Sequence, residues 1–242
     1  MEGGRVVCHT ITGSANDVLD LANTIGTSGP ATVTANLTVT LPEGNTNGTA
    51  VTGNLLGTDT LVGMQNVNTG AGADSITGSS AANRIDAGDG SDVVDGGAGA
   101  DTINGGAGAD SINAGSGEDL IIVSAANDAV GDTIVGGDGI DTLRVDAQSV
   151  SIGGGTMSEI EVLQMTQVNS IINIDSNYLD GKTITIVGST GMNDQVIVNL
   201  GSRTSVDLSG IVFGDNFISG SDKVQINGGS GNDSIIATNY VD

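Results

Sequence analysis

One cysteine, one histidine, two prolines, two tyrosines, two phenylalanines and no tryptophan are all that 242 residues hold of those types. Each shortage removes a class of function. Cys8 cannot close an internal disulfide alone, and with His9 it lacks the further Cys or His that a zinc site needs. A single histidine also excludes the H-E-x-x-H centre of zinc proteases. No G-x-S-x-G nucleophile elbow occurs. Gly181-Lys182-Thr183 ends like a P-loop, but Ser176 stands where the first glycine belongs. The glycine pairs lack the third glycine of a dinucleotide site. No amphipathic or hydrophobic pore-forming region is present, and no stretch approaches the 18 consecutive apolar residues of a membrane span. The opening MEGGRVVCHT lacks the basic start and apolar run of a secretory signal. Basic residues are scarce too: six Lys and Arg face 29 Asp and Glu, a net charge of −23. Such a chain repels nucleic acid and anionic membranes, and its natural counter-ions are divalent cations.

What is abundant is glycine, 40 residues of it. With two prolines the chain is not collagen-like, and many of its glycines recur at fixed places of a nine-residue period. Six nonapeptides run from Thr69 to Ile122: TGAGADSIT, GSSAANRID, AGDGSDVVD, GGAGADTIN, GGAGADSIN and AGSGEDLII. The sixth place reads Asp74, Asn83, Asp92, Asp101, Asp110 and Asp119. The eighth reads Ile76, Ile85, Val94, Ile103, Ile112 and Ile121. GGDGIDTLR (136–144) and GGSGNDSII (228–236) repeat the pattern. Glycines at places one, two and four permit left-handed backbone angles and a tight turn. Such a turn aims carbonyl oxygens inward beside the sixth-place carboxylate. Calcium takes six to eight oxygens of those two kinds, more than one turn supplies. The last three places form a short strand whose middle side chain points inward, so the core should be ladders of Ile, Val and Leu. A flexible glycine-rich linker has no reason to carry an aliphatic residue at every ninth position. A regular array of carboxylates also suits ions better than acid–base catalysis.

The pattern G-G-x-G-x-D-x-U-x resembles the RTX (repeats-in-toxin) calcium-binding nonapeptide repeat. The resemblance implies an all-β fold, a right-handed parallel β-helix or β-roll with two nonapeptides per coil. Repeats n and n+2 then share a side, with ions between Asp92 and Asp110 and between Asp101 and Asp119, and Asp74 paired with Asp92. Several calcium ions are the implied partners. The candidate carboxylate ligands are Asp74, Asp89, Asp92, Asp101, Asp110, Asp119, Asp128, Asp141 and Asp233. The candidate turn glycines are Gly88, Gly90, Gly97, Gly99, Gly106, Gly108, Gly115, Gly117, Gly137, Gly139, Gly229 and Gly231. Asn83 and Ala81 make the second repeat's site weak or empty.

Around the repeats the organisation is coarser. Residues 1–30 are poorly defined. Residues 31–68 form a lead-in of strands, with Ala31–Leu41 alternating like a half-buried strand and Leu61, Met64 and Val67 threading into the first repeat. The calcium-binding block spans 69–144. Within it VSAANDAVG places Asp128 sixth and Val130 eighth, and Asp132–Val135 are expected to bulge as an inserted loop. Residues 145–227 hold short β-rich runs (160–165, 170–174, 183–187, 195–200, 205–213 and 223–226) punctuated by Gly, Asn, Asp and Ser. A sandwich and a continuing solenoid both fit these runs, and the return of GGSGNDSII favours the solenoid. Residues 228–242 begin a second repeat block and end soon after it, as a truncated chain or a fragment would. The expected function is non-catalytic calcium binding that drives extracellular folding of a secreted or surface bacterial protein, such as an adhesin or surface-layer module. The alternative is the repeat module of a secreted protease, lipase, epimerase or cytolysin whose catalytic part lies elsewhere. The resemblance implies type I secretion. A cell surface, a glycan or self-assembly is the open partner.

Overall fold

The computed structural model describes residues 65–126, 128–191, 193–218, 221–230 and 232–236, with short strands at 10–12, 18–20, 37–40, 47–52 and 58–62. Of the alternating stretch Ala31–Leu41, Leu37–Thr40 is a strand, and the rest of it lies outside the described residues. Met64 and Gly231 lie outside the described residues, as does most of 1–30.

The chain is a β-solenoid, nearly all parallel, and its two long walls come from alternate nonapeptides. One nine-stranded sheet stacks Ser75–Ser79, Val93–Gly97, Ser111–Ser116, Thr133–Asp138 and Thr156–Ser158. The other stacks Asn66–Asn68, Arg84–Asp86, Thr102–Asn104, Leu120–Val123, Thr142–Val145 and Val162–Met165, then Ile184–Val187 and Ile211–Phe213. A nonapeptide ends in a strand of only a few residues, so it pairs in register with the second repeat along and not with its neighbour. Thr102, Ile103 and Asn104 lie against Arg84, Ile85 and Asp86 on one side, and against Leu120, Ile121 and Ile122 on the other. Among the described residues, antiparallel pairing is confined to Asn47–Thr52, which joins Leu37–Thr40 and Thr58–Val62.

Eighth-place side chains fill the interior because strand residues alternate between faces. Ile76, Val94, Ile112 and Ile134 form one ladder; Ile85, Ile103, Ile121, Leu143 and Leu163 form the other. All are buried. Ile103 therefore stacks on Ile85 and Ile121, not on Val94 and Ile112, the eighth-place residues of the repeats beside it in sequence. The irregular strands continue the solenoid. A third parallel sheet joins Ser149–Ile152, Ile171–Asp175, Gln195–Asn199 and Lys223–Asn227. The last repeat also pairs in parallel, Ser234–Ile236 on Ser205–Asp207.

Candidate metal centre

Register stacks the sixth places into two columns along the turns. The first holds Asp74, Asp92, Asp110 and Asp132. The second holds Gln65, Asn83, Asp101, Asp119, Asp141 and Glu161. From Asp92 and Asp101 onward, each carboxylate of a column reaches back one coil and accepts the main-chain N–H of the rung below. Asp92 N–H donates to Asp110 Oδ1 at 2.9 Å and Asp110 N–H to Asp132 Oδ1 at 2.9 Å. In the second column Asp101 N–H donates to Asp119 Oδ1 at 2.7 Å and Asp119 N–H to Asp141 Oδ1 at 2.9 Å. One oxygen of each carboxylate is thereby used as a rung.

The other oxygen is not. Oδ2 of Asp92, Asp101, Asp110, Asp119 and Asp141 is buried and has no hydrogen-bond partner, in residues at most 2% exposed. A buried charged acceptor without a partner costs upwards of about 1–3 kcal/mol. The space around these atoms is kept by the first place of the repeat. A Cβ on Gly96, Gly105 or Gly136 would stand 2.7, 2.5 and 2.7 Å from Oδ2 of Asp101, Asp110 and Asp141 respectively. These first-place glycines do not have positive φ, contrary to the expectation that all three glycines serve left-handed turns. Ala87 and Ala114, both fully buried, take the first place elsewhere.

Places two and four carry the left-handed backbone in most repeats, as at Gly97 (φ 99) and Gly108 (φ 145), but not at Gly90 or Gly229. Close stacking adds a second demand, since a Cβ on Gly108 would lie 1.4 Å from the Gly90 carbonyl oxygen. The second-place carbonyls are spent on the next coil, Gly88 O accepting from Ala107 N–H and Ser79 O from Ala98 N–H. Third-place carbonyls accept from the fourth-place amide one coil back, as Asp89 O does from Gly72. The Asp89 side chain is exposed and stands outside the columns. Among the described residues no group of three or more His, Cys, Asp or Glu side chains converges as a ready metal cage. A cation here would take one or two carboxylates and otherwise main-chain oxygens, the donor set of calcium. Orphaned buried oxygens beside glycine-kept space fit such an ion.

Burial first, opposed by the accepted backbone hydrogen bond and reinforced by neighbouring carboxylates, pushes Asp92 and Asp132 up to about 7. Asp101 rises to about 7 for the same reasons, with Asp119 as its charged neighbour. Asp110, Asp119 and Asp141 are also raised, burial again leading.

The second repeat differs as its sequence suggests. Asn83 Oδ1 accepts from Ser79 N–H at 2.8 Å, and its Nδ2 donates to the Gln65 carbonyl and to Gln65 Oε1, both at 3.0 Å. The protein satisfies this rung by itself.

Two expectations are corrected. Asp128 is not a sixth-place residue: its Oδ2 accepts from Ser124 N–H at 3.1 Å and Ala125 N–H at 2.6 Å, tying a local turn. The extra residues lie before Asp132, which takes the rung above Asp110. Thr133–Asp138 is a strand and not a bulge. Ile134 fills the ladder, whereas Val130 is 43% exposed and precedes Gly131 at φ 91. Asp132 and Glu161 were missed, although each sits two residues before a buried aliphatic, as every ladder Asp does. At the far end Asp233 keeps the repeat geometry, its Oδ2 lying 2.4 Å from where a Gly228 Cβ would stand. Asp233 is exposed, and the rung below it is Thr204, whose carbonyl takes Ser234 N–H.

In the irregular half the same rung recurs with both oxygens satisfied. Asp194 accepts from Ser170 N–H at 2.9 Å and Ser189 N–H at 2.7 Å. Asp222 accepts from Asp194 N–H at 2.9 Å and Ile218 N–H at 2.6 Å.

The RTX calcium-binding nonapeptide repeat matches the chain in four copies, at residues 68–103, 95–130, 131–148 and 213–239. No curated protein matches it. The chain thus carries RTX calcium-binding repeats, which indicate calcium binding by a repeat module. Among the described residues no helix is long and apolar enough to cross a membrane.

Proposed function

We propose, from the RTX calcium-binding repeats this chain carries, that it is a non-catalytic module whose repeat coils fold when calcium enters, as part of a secreted or cell-surface bacterial protein. The observation that carries the reading is the set of five buried, unpartnered carboxylate oxygens on Asp92, Asp101, Asp110, Asp119 and Asp141. The candidate spaces lie between successive rungs: Asp74 and Asp92, Asp92 and Asp110, Asp110 and Asp132, Asp101 and Asp119, Asp119 and Asp141. Bound there, calcium would neutralise the paired charges and complete the coordination of those oxygens. The chain's own part is to hold the rungs in register through Oδ1 and to present Oδ2 and turn carbonyls.

A ligand that binds only the folded state stabilises it by RT ln(1 + [L]/Kd). At ~1 mM calcium and a site Kd of ~100 μM, each site adds about 1.4 kcal/mol. Several such contributions decide whether a chain of charge −23 folds. The low calcium of a bacterial cytosol would leave the repeats unfolded for export, and the calcium outside would fold them. Adhesion and surface assembly suit a rigid acidic rod of this kind. Circular dichroism with and without chelator tests the reading. Calcium should raise both β-signal and melting temperature; a chelated protein with unchanged signal and melting temperature defeats it.

A further inference from the structure

The second column does not end at the last nonapeptide. Asp141 N–H donates to Glu161 Oε2 at 2.9 Å, the role that Asp141 Oδ1 plays for Asp119 one coil earlier. The pairing of Thr142 with Val162 and of Leu143 with Leu163 puts Glu161 at the sixth place. Its turn, however, has lost its glycines. Thr156, Met157 and Ser158 pair with Thr133, Ile134 and Val135, so Glu159 opens the following turn and only Ile160 separates it from Glu161. The whole G-G-x-G-x-D loop is compressed into Glu159-Ile160-Glu161.

The compression preserves one feature of the repeats. A Cβ on Gly96 would meet the Ala114 carbonyl oxygen at 2.4 Å and Asp101 Oδ2 at 2.7 Å. A Cβ on Gly136 would meet the Glu159 carbonyl oxygen at 1.7 Å and Asp141 Oδ2 at 2.7 Å. Glu159 reaches this position at φ 56, a left-handed angle unusual for a residue with a side chain. Asp141 is fully buried and its Oδ2 has no hydrogen-bond partner. The oxygen pairing found inside the repeats is thus rebuilt outside them by a turn of different sequence.

We propose that Asp141, Glu161 and the Glu159 carbonyl form a terminal divalent-cation site of calcium class, which fastens the repeat coils to the irregular coils that follow. This proposal rests on the calcium-binding reading of the columns and extends it beyond the last repeat. The short turn offers fewer main-chain oxygens than a glycine loop, and the charge of Glu161 compensates. Affinity of an oxygen site rises with its charged ligands, so this site depends on Glu161 more than a regular site depends on any single carbonyl.

The test is isothermal titration of the full chain with calcium, for wild type, Glu161→Gln and Asp215→Asn. Glutamine keeps an oxygen for the Asp141 amide and removes the charge; Asp215 is exposed, lies outside both columns and controls for net charge. Loss of one bound calcium in E161Q, with wild-type stoichiometry in D215N, is the expected result. Wild-type stoichiometry and affinity in E161Q overturn the proposal while leaving calcium binding by the repeats intact. No uptake by wild type overturns the underlying reading instead. If E161Q does not fold, crystals of wild type grown with terbium decide the matter. An anomalous peak beside Asp141 Oδ2 and Glu161 supports the site, and peaks between Asp101 and Asp119 without one there exclude it.

Discussion

A sixth-place aspartate has two oxygens with different duties, and this division governs what a substitution does. Asp101 Oδ1 holds the Asn83 amide at 2.8 Å, while its Oδ2 is the buried orphan. Asp101→Ala therefore removes a rung and a cation ligand together. Asn83→Ala breaks a satisfied network with Ser79 and Gln65, costing about 1–3 kcal/mol, but deletes no unpartnered oxygen. Calcium titration should show lower stoichiometry and cooperativity for D101A and wild-type stoichiometry for N83A. Equal losses would speak against the pairing of repeats n and n+2 as the binding unit. The same burial sets a pH dependence. Without calcium, Asp92, Asp101 and Asp132 hold their protons up to about 7 in the fold, against 3.8 for an ordinary aspartate. The folded state then binds more protons than the unfolded one between those values. The stabilisation is complete below about 3.8 and disappears as pH rises through about 7. In chelator, melting temperature should fall from pH 5 to pH 8, and calcium should flatten the decline. A chelated protein that gains stability over that range contradicts the burial of these carboxyls.

At the scale of the element, the informative segment is the insertion before Asp132. Both Asp128-Ala129-Val130 and Asp132-Thr133-Ile134 carry an acid two residues before an aliphatic, so counting alone does not choose between them. Strand geometry does. Thr133–Asp138 pairs along its length with Ser111–Ser116, while Asp128 caps the turn at Ser124 and Ala125. Asp132→Asn should weaken calcium binding in the first column, because it neutralises the rung above Asp110. Asp128→Asn should leave stoichiometry unchanged and loosen only the loop. Amide exchange read beside the titration separates the two effects, and a calcium loss confined to D128N would reverse the assignment.

Across the whole molecule, the two halves of one solenoid differ in how they satisfy the same rung. Among the described residues, Asp194 and Asp222 have main-chain donors on both oxygens, while five carboxylates of the repeat half leave Oδ2 unpartnered. Removing calcium should therefore open residues 69–145 to amide exchange well before residues 171–199. Uniform exchange across both halves would mean that the fold is lost as one unit. The shared sheet, in which Leu143, Leu163 and Ile186 stack across the junction, is the route by which stability in one half could support the other.

Much of this was legible in the residues themselves. The period of nine, its aspartates and its aliphatics prescribe a solenoid with an apolar ladder, because a strand a few residues long can bury its side chain only by stacking on copies of itself. Asn83 likewise announced a different rung, since an amide brings its own donors. Other features exist only once coils are stacked. The first-place glycine makes room for a carboxylate oxygen of its own repeat, a contact invisible to backbone propensity. Asp132 and Glu161 join the columns through pairing partners 22 and 20 residues away. An insertion and a compressed turn erase their spacing along the chain but not their register across it. Local spacing determined which residue types would line the coil; the long-range strand register decided which individual oxygens meet.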